Sequence, residues 1–138
     1  MDGAMSEPHE IVVSRELADP IGFSHAVVAS AGRTVFLGGQ VAQGRDGAIR
    51  GDTMVEQFDV AAGNVVTALR AAGGAPDHIV SLLVFVTDVA AYRDSLTELA
   101  PVWRKHFGRR YPAVALLGVA SLIDEAAMVE LVGTAVIP

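Results

Sequence analysis

Glu130 is the residue of this 138-residue chain most open to acid–base chemistry. It is the only charge between Ala126 and Pro138, in an apolar run that reads as a strand with Met128 and Val132 on the same face as the carboxylate. Such a setting desolvates a carboxyl group, and a desolvated carboxyl suits water activation or proton shuttling. A glutamate satisfied by a partner group, or left at an exposed edge, is the competing reading. Gly38-Gly39-Gln40 comes next. Glycines weaken a strand unless something must approach its backbone closely, and Gln40 offers a donor and an acceptor to a neutral ligand. A bulge or tight subunit packing would use the same glycines. Phe23 and Trp103 could wall a small-ligand cleft, although core packing is the stronger reading for Trp103.

Other chemistries find less support. The histidines are His9, His25, His78 and His106, with no pair at metal-ligand spacing on one helix and no cysteine to help, so no metal site and no cofactor are expected. Ser24 and His25 are neighbours on a predicted strand and point to opposite faces, so they do not form a nucleophile–base pair. Arg104, Lys105, His106, Arg109 and Arg110 form a basic cluster that could meet phosphate. Cations at a helix C-terminus are favoured by the macrodipole, which explains the same cluster without a ligand. Sixteen acidic against ten basic residues give a net charge of −6, which opposes nonspecific nucleic-acid binding.

These residues must be positioned by a single domain, residues 10–138, behind a short disordered tail, residues 1–9. Strands are predicted at 10–14, 24–29 and 34–40, the last two joined as a hairpin by Ser30-Ala31-Gly32-Arg33. A polar loop, 43–52, precedes a helix over 53–72. Its stripe is Val55, Phe58, Ala62, Val65, Val66 and Leu69, with Thr53 and Glu56 as a capping box and Gly73-Gly74 as the stop. A strand at 79–87 follows, then a helical region at 89–107 in which Pro101 should break or kink the helix near Ala100. Strands at 113–119 and 128–137 close the chain. The order is βββαβαββ, an α+β fold with a six-stranded sheet and two helices on one face.

Hydrophobic residues make up 51% of the chain and charged residues 19%, which is apolar for one small domain. A membrane does not account for the excess: the longest uncharged run inside the domain, Tyr111 to Ile123, has thirteen residues with Pro112 and Gly118 within it, and a spanning helix needs about 18 or more. The acidic N-terminus lacks the apolar core of a signal peptide, and a cytosolic location is the expectation. The strands at 79–87, 113–119 and 128–137 are apolar on both faces, and two helices cover only one. A second copy of the chain is the simplest cover for the other, so a homo-oligomer is expected.

Several strings, in order, resemble the Rid (reactive intermediate deaminase, or YjgF) family. Ile21-Gly22-Phe23-Ser24-His25-Ala26 is similar to its IGPYSQA segment, and Thr34 to Gln40 to its VFxSGQ strand. Ala72 to Asp88 is similar to its AGA…VFLTD stretch, Phe107 to Ala113 to the run into FPARS, and Val129-Glu130-Leu131 to the final IEIEAIA strand. The resemblance spans about residues 17–137. It implies a mixed-sheet, chorismate-mutase-like homotrimer with small-molecule clefts between subunits, and hydrolysis of imines or enamines to ketones and ammonia. It also implies Glu130 as the pocket glutamate, with Phe23, Gly39, Gln40, Ala113, Val114 and Leu116 at ligand-binding positions. Val114 stands where the family has a carboxylate-binding arginine, Leu116 where it has a small polar residue or cysteine, and Phe23 where it has tyrosine. Arginine grips a carboxylate through two charge-assisted hydrogen bonds, and valine offers none. Arg110, four residues from Val114, is roughly 13 Å away along an extended strand, too far to stand in. A neutral or more apolar ligand, or else a carboxylate gripped from a different direction, is therefore expected, bound either catalytically or by a non-catalytic sensing module.

Overall fold

The structure, a computed structural model, describes residues 7–138. Its elements are β1 (Glu10–Val12), β2 (Ala26–Val28), β3 (Arg33–Phe36), α1 (Met54–Ala71), β4 (Ile79–Val86), α2 (Val89–Asp94), α3 (Leu96–Phe107), β5 (Ala113–Gly118) and β6 (Val129–Ile137). The α+β order is as read from the sequence, with the second helical region divided in two.

The six strands do not form one sheet. Four make a mixed sheet in the order β3-β6-β4-β5, with β4 and β5 parallel and the other pairs antiparallel, while β1 and β2 form a separate antiparallel pair. The expected hairpin between the second and third strands is therefore absent. Ser30, at its turn, is held elsewhere: its N–H donates to His9 Nδ1 at 3.1 Å and its hydroxyl to the Pro8 carbonyl. Gly32 then passes so close to the Ile137 backbone that a Cβ would overlap it, which sets β3 against β6.

His9, placed in the tail by the sequence, is instead anchored in the fold. Residues 1–6 of the expected tail lie outside the described residues, but His9 is buried. Its Nδ1 accepts from Ser30, so Nε2 carries the hydrogen and donates to the Val136 carbonyl at 2.9 Å and the His78 carbonyl at 3.2 Å.

The capping box opens α1 as expected: the Thr53 hydroxyl accepts from Glu56 N–H at 3.1 Å, and the Glu56 carboxylate accepts from Asp52 and Thr53 N–H. Those backbone bonds hold the Glu56 carboxyl below its ordinary value. At the other end Gly73 takes φ +92° and Gly74 N–H returns to the Leu69 carbonyl at 2.9 Å, closing the helix in the left-handed turn glycine permits.

The second helical region breaks at Ser95, not near Ala100. Ser95 has a non-helical backbone, its hydroxyl donates to the Ala91 carbonyl at 2.7 Å, and its own carbonyl accepts from Glu98 and Leu99. Pro101 lies inside α3. Its missing N–H deprives only the carbonyl of Thr97, an exposed residue that water can serve.

Phe58, Ala62, Val65 and Leu69 of α1 meet Leu82, Val84 and Val86 of β4 and Val129 and Leu131 of β6 in the core, with Leu99, Trp103 and Phe107 of α3 closing it. On the opposite face the register aligns Leu83 with Val132 and Ala115, and Phe85 with Glu130 and Leu117. Phe36, opposite Thr134 on that open face, is 81% exposed.

Candidate functional site

Glu130 stands on the open face of β6, paired in register with Phe85 and half-buried. What gives its carboxylate room is Gly39. A Cβ at residue 39 would collide with Glu130 Oε2 and crowd its Cδ and Cγ. The chain beyond β3 stays along β6: Leu37 N–H donates to the Gly133 carbonyl at 3.0 Å, and Gln40 and Leu131 exchange backbone bonds at 2.8 and 2.9 Å. Three steps from Leu37 to Gln40 match two from Gly133 to Leu131, so Gly38-Gly39 holds one extra residue, a β-bulge. The bulge reading and the close-approach reading of these glycines thus hold together, and what approaches is the glutamate. Among the described residues no side chain or backbone donor hydrogen-bonds to the Glu130 carboxylate, which leaves it available to water or a ligand. The Gln40 amide turns back to the Gly38 carbonyl at 3.3 Å.

The remaining predicted residues lie across β4, at the β5 edge. Val114 pairs in register with Leu82, and Leu116 with Val84, both of them core residues. Val114 and Leu116 are therefore on the helix side of the sheet, and Ala113 is on the Glu130 side. Phe23 is 38% exposed and meets His25 edge-on at 5.9 Å. Its neighbour Ser24 is locked to the approach of β5: the N–H donates to the Pro112 carbonyl at 3.0 Å and the hydroxyl to the Tyr111 carbonyl at 2.5 Å. One chain thus carries two candidate half-sites, Gly39–Gln40–Glu130 and, across β4, Phe23–Val114–Leu116, with Glu130 and Val114 on opposite faces of the sheet. Since β5 is an edge strand, one of its backbone edges is unpaired within the sheet.

A further concavity lies among the helices, where the sequence favours core packing for Trp103 over its alternative as a cleft wall. It holds about 270 Å³ and is lined by Ile21, Gly22, Phe58, Tyr92, Trp103 and Tyr111, with Leu96, Leu99 and Ala100 completing the wall. Burial pushes the Tyr92 hydroxyl above its ordinary value, and nearby Tyr111 adds to the effect. The signal in the sequence was the spacing of Tyr92, Leu96, Leu99 and Trp103, which keeps an apolar stripe across two consecutive helices.

The remaining candidates are absorbed structurally. His25 Nδ1 accepts from Ser14 N–H at 2.9 Å, so Nε2 donates to the Ala18 carbonyl at 2.9 Å, and Ser24 bonds elsewhere; there is no dyad. In the basic cluster, Lys105 and His106 both meet Asp59, at 2.9 and 2.6 Å. Arg110 pairs with Glu7 and, at 3.6 Å, with Asp77. Burial raises the Asp59 carboxyl, but hydrogen bonds and charge from Lys105 and His106 outweigh it and hold the group below its ordinary value. No helix among the described residues is long and apolar enough to cross a membrane.

Comparison with known proteins agrees with this architecture. Residues 14–137 match the family described as Endoribonuclease L-PSP. The chain is 30% identical over 110 residues to the yeast (Saccharomyces cerevisiae) protein MMF1, mitochondrial, covering 80% of this chain and 73% of that one. Among solved structures, the Rid-family protein YyfB of Yersinia pestis is 27% identical, with 94% of this chain and 99% of that chain covered at a TM-score of 0.81. Rv2704 of Mycobacterium tuberculosis, of the YjgF/YER057c/UK114 family, is 25% identical, with 94% and 99% covered at a TM-score of 0.63. The chain belongs to the Endoribonuclease L-PSP family, which takes in the Rid and YjgF proteins.

Proposed function

We propose that this family member works as a homotrimer whose copies join the two half-sites into small-molecule clefts, and that it hydrolyses small, neutral imines, enamines or related electrophiles there. The observation that carries the reading is the Glu130 carboxylate seated over Gly39, with no donor to it among the described residues, on an apolar sheet face beside Phe85. In a cleft closed by a second copy, Glu130 takes a proton from water as its oxygen adds to the C=N carbon. That proton is delivered to nitrogen to give the tetrahedral carbinolamine, whose hydroxyl proton Glu130 then moves to the amino group as the C–N bond breaks, releasing ammonia and leaving a ketone. Unpaired backbone groups of β5 between Ala113 and Ala115 would hydrogen-bond the ligand, with Gln40 and Phe23 shaping the site.

Val114 and Leu116 support the choice of a neutral substrate, because neither can pair with an anion and an unpaired anion is strongly penalised in an apolar cleft. The same two residues favour the second reading, a non-catalytic module that binds a neutral metabolite. Steady-state assay of wild type and Glu130→Gln on a panel of imines separates them. Turnover by wild type that the variant loses supports catalysis. If wild type turns nothing over, or both turn over equally, the hydrolase assignment ends; ligand-induced thermal stabilisation without consumption then identifies a binding module.

A nucleic-acid role is not adopted from the family's description. Three of the five clustered basic residues are already paired with carboxylates, and the net charge is −6. RNA retained at low salt and released steeply as salt rises would reverse that judgement.

A further inference from the structure

We infer, resting on the reading of Gly39, Gln40 and Glu130 as one half of the cleft, that Gln57 and Asn64 of α1 are positioning residues for that half-site. They act from the opposite side of the sheet, where α1 packs. Seven positions apart, they lie on one face of the helix, two turns from each other. Gln57 is 2% exposed, and every polar group of its amide is used. Its Nε2 donates to the Gly51 carbonyl at 3.2 Å and the Ala126 carbonyl at 2.9 Å, and its Oε1 accepts from Met128 N–H at 2.8 Å. Asn64 Nδ2 donates to the Val41 carbonyl at 3.0 Å and the Gln43 carbonyl at 2.9 Å.

These bonds fall where the chain enters and leaves the site. Met128 is two residues ahead of Glu130, and its carbonyl also accepts from Thr87 N–H at 3.1 Å, so both its backbone groups are fixed as β6 begins. Val41 directly follows Gln40, whose backbone pairs with Leu131. Between Val41 and Gly51 the chain closes on itself: Arg50 N–H donates to the Ala42 carbonyl at 2.7 Å, and Gly44 N–H to the Ala48 carbonyl at 2.9 Å. Asn64 holds the entry of that loop and Gln57 its exit. Elsewhere α1 meets the core through Phe58, Ala61, Ala62, Val65 and Leu69, all apolar. Apolar contact is non-directional and sets no register by itself. The Gly38-Gly39 bulge has no side chain to lock it either, and glycine-rich strand segments are prone to slip. Directional bonds from a rigid helix supply the missing constraint. Since the Glu130 carboxylate occupies the space over Gly39, a slip of either segment along the other would part the pair.

A Cβ at residue 39 would stand 3.3 Å from Glu130 Cγ, so the Gly39 α-protons and the Glu130 γ-protons should give a nuclear Overhauser contact in the wild type. Amide hydrogen exchange at Gln40 and Leu131 reports the bridge between the two segments, and exchange at Leu82 and Val84 of β4 reports global opening. Gln57→Met keeps the side chain's length and removes its amide. Asn64→Asp keeps the shape and replaces the donor with an acceptor; at a half-buried residue, it provides a second variant if the first does not fold. Each is expected to lose the Gly39–Glu130 contact and to exchange Gln40 and Leu131 about ten-fold faster, with Leu82 and Val84 changed far less. On the imine panel, kcat should fall together with the contact. A wild type that turns nothing over ends the hydrolase reading and leaves the spectroscopic result standing, so the two failures are told apart. A wild type without the contact, or a folded variant of either residue that keeps both contact and protection, would overturn the inference. Equal acceleration at Leu82 and Val84, or failure of both variants to fold, would assign the two amides to overall stability alone and equally end it.

Discussion

The Glu130 carboxylate lies in the space that a side chain on residue 39 would occupy, so Gly39 and Glu130 form one unit across β6 and the bulge that follows β3. The three atoms nearest a methyl group at residue 39 would all belong to the flexible Glu130 side chain. Gly39→Ala is therefore expected to cost little stability, about 1 kcal/mol or less, while turning the carboxylate out of place. Near-wild-type thermal stability with a large loss of turnover or ligand binding is the expected pair of results. A fully active Gly39→Ala would show that the position of the carboxylate does not matter.

Glu130→Gln keeps the shape and removes the base. Where Glu130 moves the proton, turnover should fall by about 10²–10⁴-fold with the fold intact by circular dichroism. A decline of only a few-fold would assign Glu130 to binding.

Leu117 and Phe36 mark the open face, at 42% and 81% exposure. Since Leu117 aligns with Phe85 away from the helices, Leu117→Lys should leave the protomer folded and place a charge where a second copy would bury it. Wild type is expected to sediment as a trimer and the variant to dissociate. A wild-type chain that stays a dispersed monomer at micromolar concentration would remove the shared cleft altogether.

Asp59 ties α1 to α3 through Lys105 and His106. Its folded-state value lies below the ordinary 3.8. Stability from this group is therefore fully present above its unfolded-state value and is lost as pH falls through the lowered folded one. Because the pair is partly exposed, solvent screening limits the effect to about 0.2–1 kcal/mol. Asp59→Asn should be less stable than wild type by that amount at pH 7, and the gap should close in chemical denaturation as pH falls through the lowered folded-state value.

Thr53 offers a local control far from the proposed chemistry. Thr53→Ala removes the hydroxyl that accepts from Glu56 N–H, and should cost about 0.5–2 kcal/mol in urea denaturation without altering turnover.

The features legible along the chain rest on short-range physics. The Thr53–Glu56 box, the Gly73-Gly74 stop and the apolar stripe of α1 each lie within one or two helical turns, and the structure reproduces them. Ala113, Val114, Leu116 and Glu130 lie on strands as read, with Glu130 on the face it shares with Met128 and Val132, whereas Gly39 and Gln40 lie beyond the end of β3 and Phe23 ahead of β2. What the chain could not disclose by itself depends on contacts between distant segments. Ser30 looks like a hairpin turn until His9 and Pro8, over twenty residues earlier, take its donors. Pro101 looks like the break until the Ser95 hydroxyl ends α2 first. Val114 and Glu130 sit in strands of similar pattern, and only the register with Leu82 and Phe85 sends them to opposite faces. Trp103 reads as core, and it becomes a cavity wall only because Tyr92, Tyr111 and Ile21 stop short of closing over it. Periodicity and capping act along the chain and are written there; strand pairing, facing and the gaps between packed side chains arise only when remote residues compete for the same space.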